Sequence, residues 1–183
     1  PGGLDDYCCF NRNLLGEGRG YQYCLNLLDE IQPDLLVNQH VNGAFTFSQE
    51  QRRKMQEILQ RRFDLFRQIF PWDNPNYGLD HQWIRCYPYF QTANPGEEVH
   101  FEIRIMNHSD APHVASISLR LPDGWMPLIK ESSKRIPPKR EEGIRLTARI
   151  PQGAAQKRYV VGFAVNYANL RLGEIVEGVV EIV

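Results

Sequence analysis

The stretch NPGEEVHFEIRIMNHSD, residues 94–110, decides how the second half of this chain is read. An Asn-Pro-Gly turn signal opens it. Val99, Phe101, Ile103 and Ile105 then alternate with Glu98, His100, Glu102 and Arg104, and an Asn-ended turn closes it. A period of two turns successive side chains to opposite faces, so the segment predicts a strand with one apolar and one solvated face.

The same alternation recurs downstream. Ala115, Ile117, Leu119 and Leu121 alternate with Ser116, Ser118 and Arg120; Ile144, Leu146, Ala148 and Ile150 do so against Arg145, Thr147 and Arg149. Val161, Phe163, Val165 and Tyr167 make a further strand, and residues 175–183 the last, with LPDGW, IPQGAA and NLRLGE as turns between them. Six or seven short strands of this kind predict a β-sandwich of immunoglobulin type.

Upstream the period is helical. GYQYCLNLLDEI places Tyr21, Cys24, Leu25 and Leu28 on one face, Gln32-Pro33-Asp34 stops the helix, and Leu35-Leu36-Val37 reads as a short buried strand. Ser48 with Gln51 forms a capping box for a second helix over 49–69, with Met55, Ile58, Leu59, Arg62, Phe66 and Ile69 as its stripe. Pro71 ends that helix, and the proline- and glycine-bearing PWDNPNYGLD reads as a linker.

Charge and composition exclude several classes. The net charge is -1, with eight basic and ten acidic residues before residue 80, so neither nucleic acid nor an anionic membrane is expected as a partner. The basic run Arg52, Arg53, Lys54, Arg61, Arg62 and Arg67 is interleaved with acids and reads as a solvated helix face. No apolar stretch approaches the roughly 20 residues of a membrane span. Four cysteines at 8, 9, 24 and 86 lack a Cys-x-x-Cys pair and read as reduced thiols in a cytoplasmic protein. Asn107-His108-Ser109 fits a glycosylation sequon. The chain opens without Met, on PGGLDDYCC, as an excised piece would.

Little local chemistry stands out. GEGRGY has Gly-x-Gly-x-Gly spacing rather than the dinucleotide fingerprint. Histidines 40, 81, 100, 108 and 113 show no paired metal-ligand spacing, and His100, His108 and His113 read as surface residues; no catalytic residue is assigned. His40 differs in setting, since it follows an apolar run and precedes a loop into a capped helix. It is either a metal ligand held at a strand end or a polar residue where a strand stops.

The order helix, Pro-Asp, apolar strand, His, loop, Ser-capped helix in QPDLLVNQHVNGAFTFSQEQRRKM, residues 32–55, resembles the closing segment of metallo-β-lactamase-fold hydrolases. The resemblance covers roughly residues 1–72. It implies that His40 matches the last histidine ligand of a binuclear zinc or iron centre, whose His-x-His-x-Asp-His cluster would lie upstream in a full-length parent. This chain would then be a C-terminal fragment, with no cofactor of its own and inactive alone. Its partner would be the upstream catalytic domain of the same parent.

Residues 84–183 resemble the immunoglobulin-like domains attached to glycosidases and other enzymes, on NPGEEVHFEIRIMNHSD, LRLPDGW, RIPPKREEGIRLTARIP and YVVGFAV. Such domains are accessory modules, and the resemblance carries over no catalytic residue. Trp125 reads as a cap on the sandwich core, with a sugar-stacking platform as the alternative. The aromatic-dense Tyr77, Trp83, Tyr87, Tyr89 and Phe90 read as a seam against the catalytic domain, with a ligand surface as the alternative. The expected architecture is therefore α+β: a helical segment over 1–72, a linker over 73–83 and an all-β sandwich over 84–183. The second function class kept open is a non-catalytic interaction or carbohydrate-binding module. Strand residues 35–37, built for a larger sheet, would make a fragment prone to homodimerise.

Overall fold

The computed structural model describes residues 14–16, 18–37 and 43–183. The chain forms two compact units, Pro1–His81 and Gln82–Val183.

In the first unit, helix α1 (Gly20–Ile31) begins where the Leu14 carbonyl oxygen lies so close that a Cβ on residue 20 would stand 2.4 Å from it. Gly20 also takes a φ of +51°, so glycine fits on both counts. The helix ends on Gln32, left-handed at φ +48°, whose N–H returns to the Leu28 carbonyl. Strands β1 (Leu36–Val37) and β2 (Ala44–Phe45) form an antiparallel two-residue hairpin. Helix α2 (Gln49–Ile69) carries the expected box: the Ser48 N–H donates to Gln51 Oε1 at 2.8 Å, and the Gln51 N–H donates to Ser48 Oγ at 3.2 Å.

Leu15, Leu25 and Leu59 form the small core of this unit, with Tyr21, Phe47, Met55, Phe63, Phe66 and Leu79 packed around it. Three expectations are corrected here. Arg52 is buried, not solvated: its Nε lies 3.2 Å from Asp29, and its guanidinium donates to the Leu28 carbonyl, placing a cation at the C-terminus of α1. Residues 73–81 are not an open linker. They hold the short helix α3 (Asn76–Leu79), and the buried Asn76 amide clamps Leu15, accepting its N–H at 2.7 Å and donating to its carbonyl at 2.8 Å. Finally, β1 is not buried: among the described residues its hairpin with β2 joins no larger sheet, and Leu35 is 59% and Val37 82% exposed.

The second unit is a β-sandwich. It is built from β3 (Ile84–Tyr87), β4 (Phe90–Ala93), β5 (Glu98–Met106), β6 (His113–Arg120), β7 (Met126–Ile129), β8 (Glu131–Ile136), β9 (Glu141–Arg149), β10 (Arg158–Tyr167) and β11 (Leu170–Ile182). One sheet runs β4-β11-β10-β6-β8 and the other β3-β5-β9-β7. All pairs are antiparallel except β4 with β11. Nine strands replace the expected six or seven. The extra ones are short, and β7 and β8 lie at sheet edges, where no strict alternation is imposed. Chain direction also moves between sheets at Lys130, since β7 pairs with β9 and β8 with β6.

The alternation of residues 99–105 does what its period dictates. Val99, Phe101, Ile103 and Ile105 are all buried in register with Ala148, Leu146, Ile144 and Glu142 of β9. Phe101 meets Phe163 of the opposite sheet edge-on, with ring centroids 5.2 Å apart. The turn before β5 is tied by Glu97, which accepts the Asn94 N–H at 2.8 Å and its side-chain amide at 2.9 Å; these bonds hold the Glu97 carboxyl below its usual range. The turn expected at NLRLGE is instead Ala168-Asn169, both left-handed, joining β10 to β11 as a two-residue hairpin.

Candidate functional site

His40 lies in residues 38–42, outside the described residues, so its surroundings contribute nothing to the site described below. Its flanks are described: the hairpin strands on either side and the Ser48 cap. Among the described residues no group of three or more His, Cys, Asp or Glu side chains is placed to hold a metal ion. Likewise, no helix among them is long and apolar enough to cross a membrane.

The other histidines separate by burial. His81 is exposed, but His108 is fully buried, and His113 is half-buried with its ring edge-on to Tyr167 at 5.4 Å, which corrects the surface reading for His108. The cause is the turn itself. Asn107 is fully buried, donates from Nδ2 to the carbonyls of Ala111, Ile136 and Pro137, and accepts at Oδ1 from the Ser109 N–H and the Tyr167 hydroxyl. An amide engaged on both atoms inside the core is no glycosylation acceptor in the folded chain, so the sequon is structural. Of the cysteines described, Cys24 is exposed and Cys86 buried, both as free thiols; burial pushes the Cys86 thiol up to about 12.

Trp125 is a core cap, 7% exposed and tilted against Tyr159 at 5.5 Å. Trp83 packs edge-on to Tyr167 at 5.1 Å within the sandwich, and Tyr77 is buried in the helical unit, tilted against Trp72 at 4.8 Å. Tyr87, Tyr89 and Phe90 are exposed, at 59%, 56% and 44%.

Tyr87 opens onto the outer face of the four-stranded sheet. With Pro88 it walls a shallow depression of about 410 Å³ whose other polar side chains are His100, Glu102, Arg145 and Thr147. Sheet register sets the arrangement: Tyr87 sits opposite Glu102, Glu102 opposite Arg145, and His100 opposite Thr147. His100 Nδ1 and Thr147 Oγ1 are 3.1 Å apart. Glu102 accepts from Arg104 Nε at 2.7 Å and from Arg145 Nε at 3.4 Å; the Arg104 bond first, and Arg145 after it, hold its carboxyl below the usual range. The Arg104 guanidinium lies over one face of the Tyr87 ring, 4.7 Å from its centroid. Gly143, opposite Arg104, is what lets the Glu102 side chain lie across the sheet: a Cβ there would stand 2.6 Å from the Glu102 carboxyl carbon.

Two other depressions lack this combination. One on the five-stranded sheet contains Tyr159, but Trp125 packs against that ring and Lys157 lies over it at 5.0 Å, while Arg120 and Glu174 are paired with each other. The other, about 670 Å³, lies in the helical unit between amide side chains of Gln22, Asn26, Gln56 and Gln60. In the sequence the sheet-face site carried one signal: polar residues of β5 and β9 on a shared outer face beside an aromatic segment. The pairing that unites them, Tyr87 to Glu102 to Arg145, is a matter of register.

No family model matches the chain, and no curated protein matches it. Among solved structures, a FixG-related protein from Vibrio parahaemolyticus is similar at 9% identity and a TM-score of 0.39, over 48% of this chain and 80% of that one. A family 123 glycoside hydrolase from Clostridium perfringens is similar at 14% and 0.38, over 52% of this chain and 23% of that one. The calcium binding domain CBD12 of CALX1.1 is similar at 14% and 0.38, over 55% and 44%. With identities and TM-scores this low, the β-sandwich stands on its own strand pairing and buried core.

Proposed function

We propose that the chain carries a non-catalytic β-sandwich module that binds carbohydrate on the outer face of its four-stranded sheet. The observation that carries this reading is the exposed Tyr87 ring at the wall of a depression lined by His100, Glu102, Arg145 and Thr147. An aromatic face accepts the C–H side of a pyranose, and a ring of donors and acceptors beside it suits hydroxyl groups. The test is binding of the chain to a panel of immobilised oligosaccharides, repeated with Tyr87→Ala. Tyr87 is exposed, so the variant is expected to fold and to lose binding by about 5- to 150-fold, taking the cost of about 1–3 kcal/mol for losing an aromatic ring stacked on a nucleic-acid base as the guide. Retained binding in the variant sinks the reading.

A second reading concerns the helical unit: the closing segment of a metallo-β-lactamase-fold hydrolase, with His40 as one ligand of a zinc or iron centre completed by upstream residues. Helix α1 favours it, because it has apolar side chains on two faces. Leu25 is buried, while Tyr23, Leu27 and Ile31, spaced four apart, are 55%, 38% and 61% exposed. A helix apolar on two sides suits a layer between others, and a two-residue hairpin with Val37 uncovered suits a larger sheet. The same surfaces would otherwise pair with a second copy. Metal content of the full-length parent before and after His40→Ala tests the assignment, and unchanged content refutes it.

A further inference from the structure

We infer that the sheet-face site selects acidic sugars, a pyranose bearing a carboxylate, through Arg145; this rests on the carbohydrate-binding reading of the same face. Charge pairing on this face supplies the argument. Arg85 is paired with Glu141 at 2.6 Å, Arg149 with Glu98, and Arg104 with Glu102 at 2.7 Å. Three carboxylates are thus matched by three guanidinium groups: Glu98 and Arg149 directly apposed, Glu102 and Arg104 two apart on β5, and Arg85 reaching across β5 to Glu141. Arg145 is the cation in excess there, among the described residues.

Its geometry agrees. The Arg145 side chain is 84% exposed and reaches Glu102 only through Nε, at 3.4 Å. The contact orients the guanidinium and leaves its outer nitrogens facing solvent as a planar fork, the arrangement that grips a carboxylate with two parallel hydrogen bonds. The Glu102 charge that would repel such a ligand is already engaged by Arg104. Tyr87 and Arg145 sit on strands β3 and β9, separated by β5. Two interstrand spacings put them roughly 10 Å apart, the span of two linked sugar units. One unit stacks on Tyr87 while its neighbour presents the carboxylate to Arg145; Glu102 lies between the two, and the His100–Thr147 pair, one row along the same strands, is at hand for hydroxyl groups.

The experiment is calorimetric titration of the whole chain with digalacturonic acid and with the neutral galactose disaccharide of the same linkage. The acid is expected to bind about tenfold or more tightly, in keeping with charge-assisted bonds being about twice as strong as neutral ones. Arg145→Gln is expected to erase that preference, the acid losing about tenfold more affinity than the neutral disaccharide, and Arg145→Lys to recover part of it, having the charge without the fork. Raising salt should compress the difference, because the site is exposed. Equal affinity for acid and neutral sugar, or an undiminished preference in Arg145→Gln, overturns the inference while leaving the carbohydrate reading intact. Absence of binding by any sugar, in wild type and variants alike, overturns both.

Discussion

Replacing Asn107 tests the sandwich where its polar core is densest. The two amide protons of Asn107 are shared among the carbonyls of Ala111 (2.9 Å), Ile136 (3.1 Å) and Pro137 (3.1 Å). Its oxygen accepts from the Ser109 N–H (2.9 Å) and the Tyr167 hydroxyl (3.0 Å). Two donated protons and two accepted ones, at about 1 kcal/mol each, put the cost of Asn107→Ala at about 4 kcal/mol, whereas Tyr167→Phe, which forfeits one of the four, should cost about 1 kcal/mol. Asn107→Asp should be worse than alanine at neutral pH, because it turns a carboxylate toward carbonyl oxygens in a fully buried site. There the folded state binds the proton more tightly than the unfolded state does. The penalty is therefore complete above the folded-state pKa and relieved as pH falls through it. Native-state hydrogen exchange at Phe101, Ile103 and Ile105 isolates the stability of this unit from that of the helices. An alanine cost below about 1 kcal/mol, or an aspartate variant no worse than alanine at neutral pH, would refute the network as the anchor of the turn.

Three further outcomes follow. Native protein should react with iodoacetamide rapidly at Cys24 and slowly at Cys86, because burial both hides the Cys86 thiol and pushes its pKa up to about 12; peptide mass spectrometry after a timed quench reads the difference, and equal rates would be incompatible with the burial described. Ser48→Ala should destabilise the start of α2 by about 1 kcal/mol, seen as faster exchange at Gln51 with the sandwich amides unchanged. Arg104 first, with Arg145 after it, lowers the Glu102 carboxyl in the folded state; its contribution is thus present above the unfolded carboxylate pKa and lost as pH falls through the folded value. Glu102→Gln should remove that acid-side dependence from the titration of the sheet face, checked by the side-chain NMR shifts of Arg104 and Arg145.

How legible each part was depends on the force that shaped it. Strands β5, β6, β9 and β10 are half-buried along their whole length, so their sequences carry the two-residue period and were readable. Edge strands β7 and β8 bury almost nothing; Met126, Pro127, Leu128 and Ile129 are all exposed, and no alternation records them. The start and length of α2 were readable because its cap is a local motif. Arg52 and His108 were misjudged because charge and polarity on a short stretch say nothing about a partner far away: Arg52 is held across α1, and His108 is carried inside by Asn107, whose ligands come from residues 29 and 30 positions away. The sheet-face site was half legible, since alternation placed its polar residues on one face but could not supply the register that sets Tyr87 beside Glu102.

The parallel pair β4 with β11 has a consequence for how the sandwich is made. Phe90 to Ala93 near its start are hydrogen-bonded to Val179 to Ile182, about 90 residues later, so the first sheet edge has no neighbour until the last strand exists. A nascent chain can assemble the β5 and β9 sheet early, yet it must hold β4 open until then, a long loop to close and a slow one. Trimming the chain before Val179 would thus loosen not its tail but its beginning, and Phe90, released from its partner, would be the first site a protease finds.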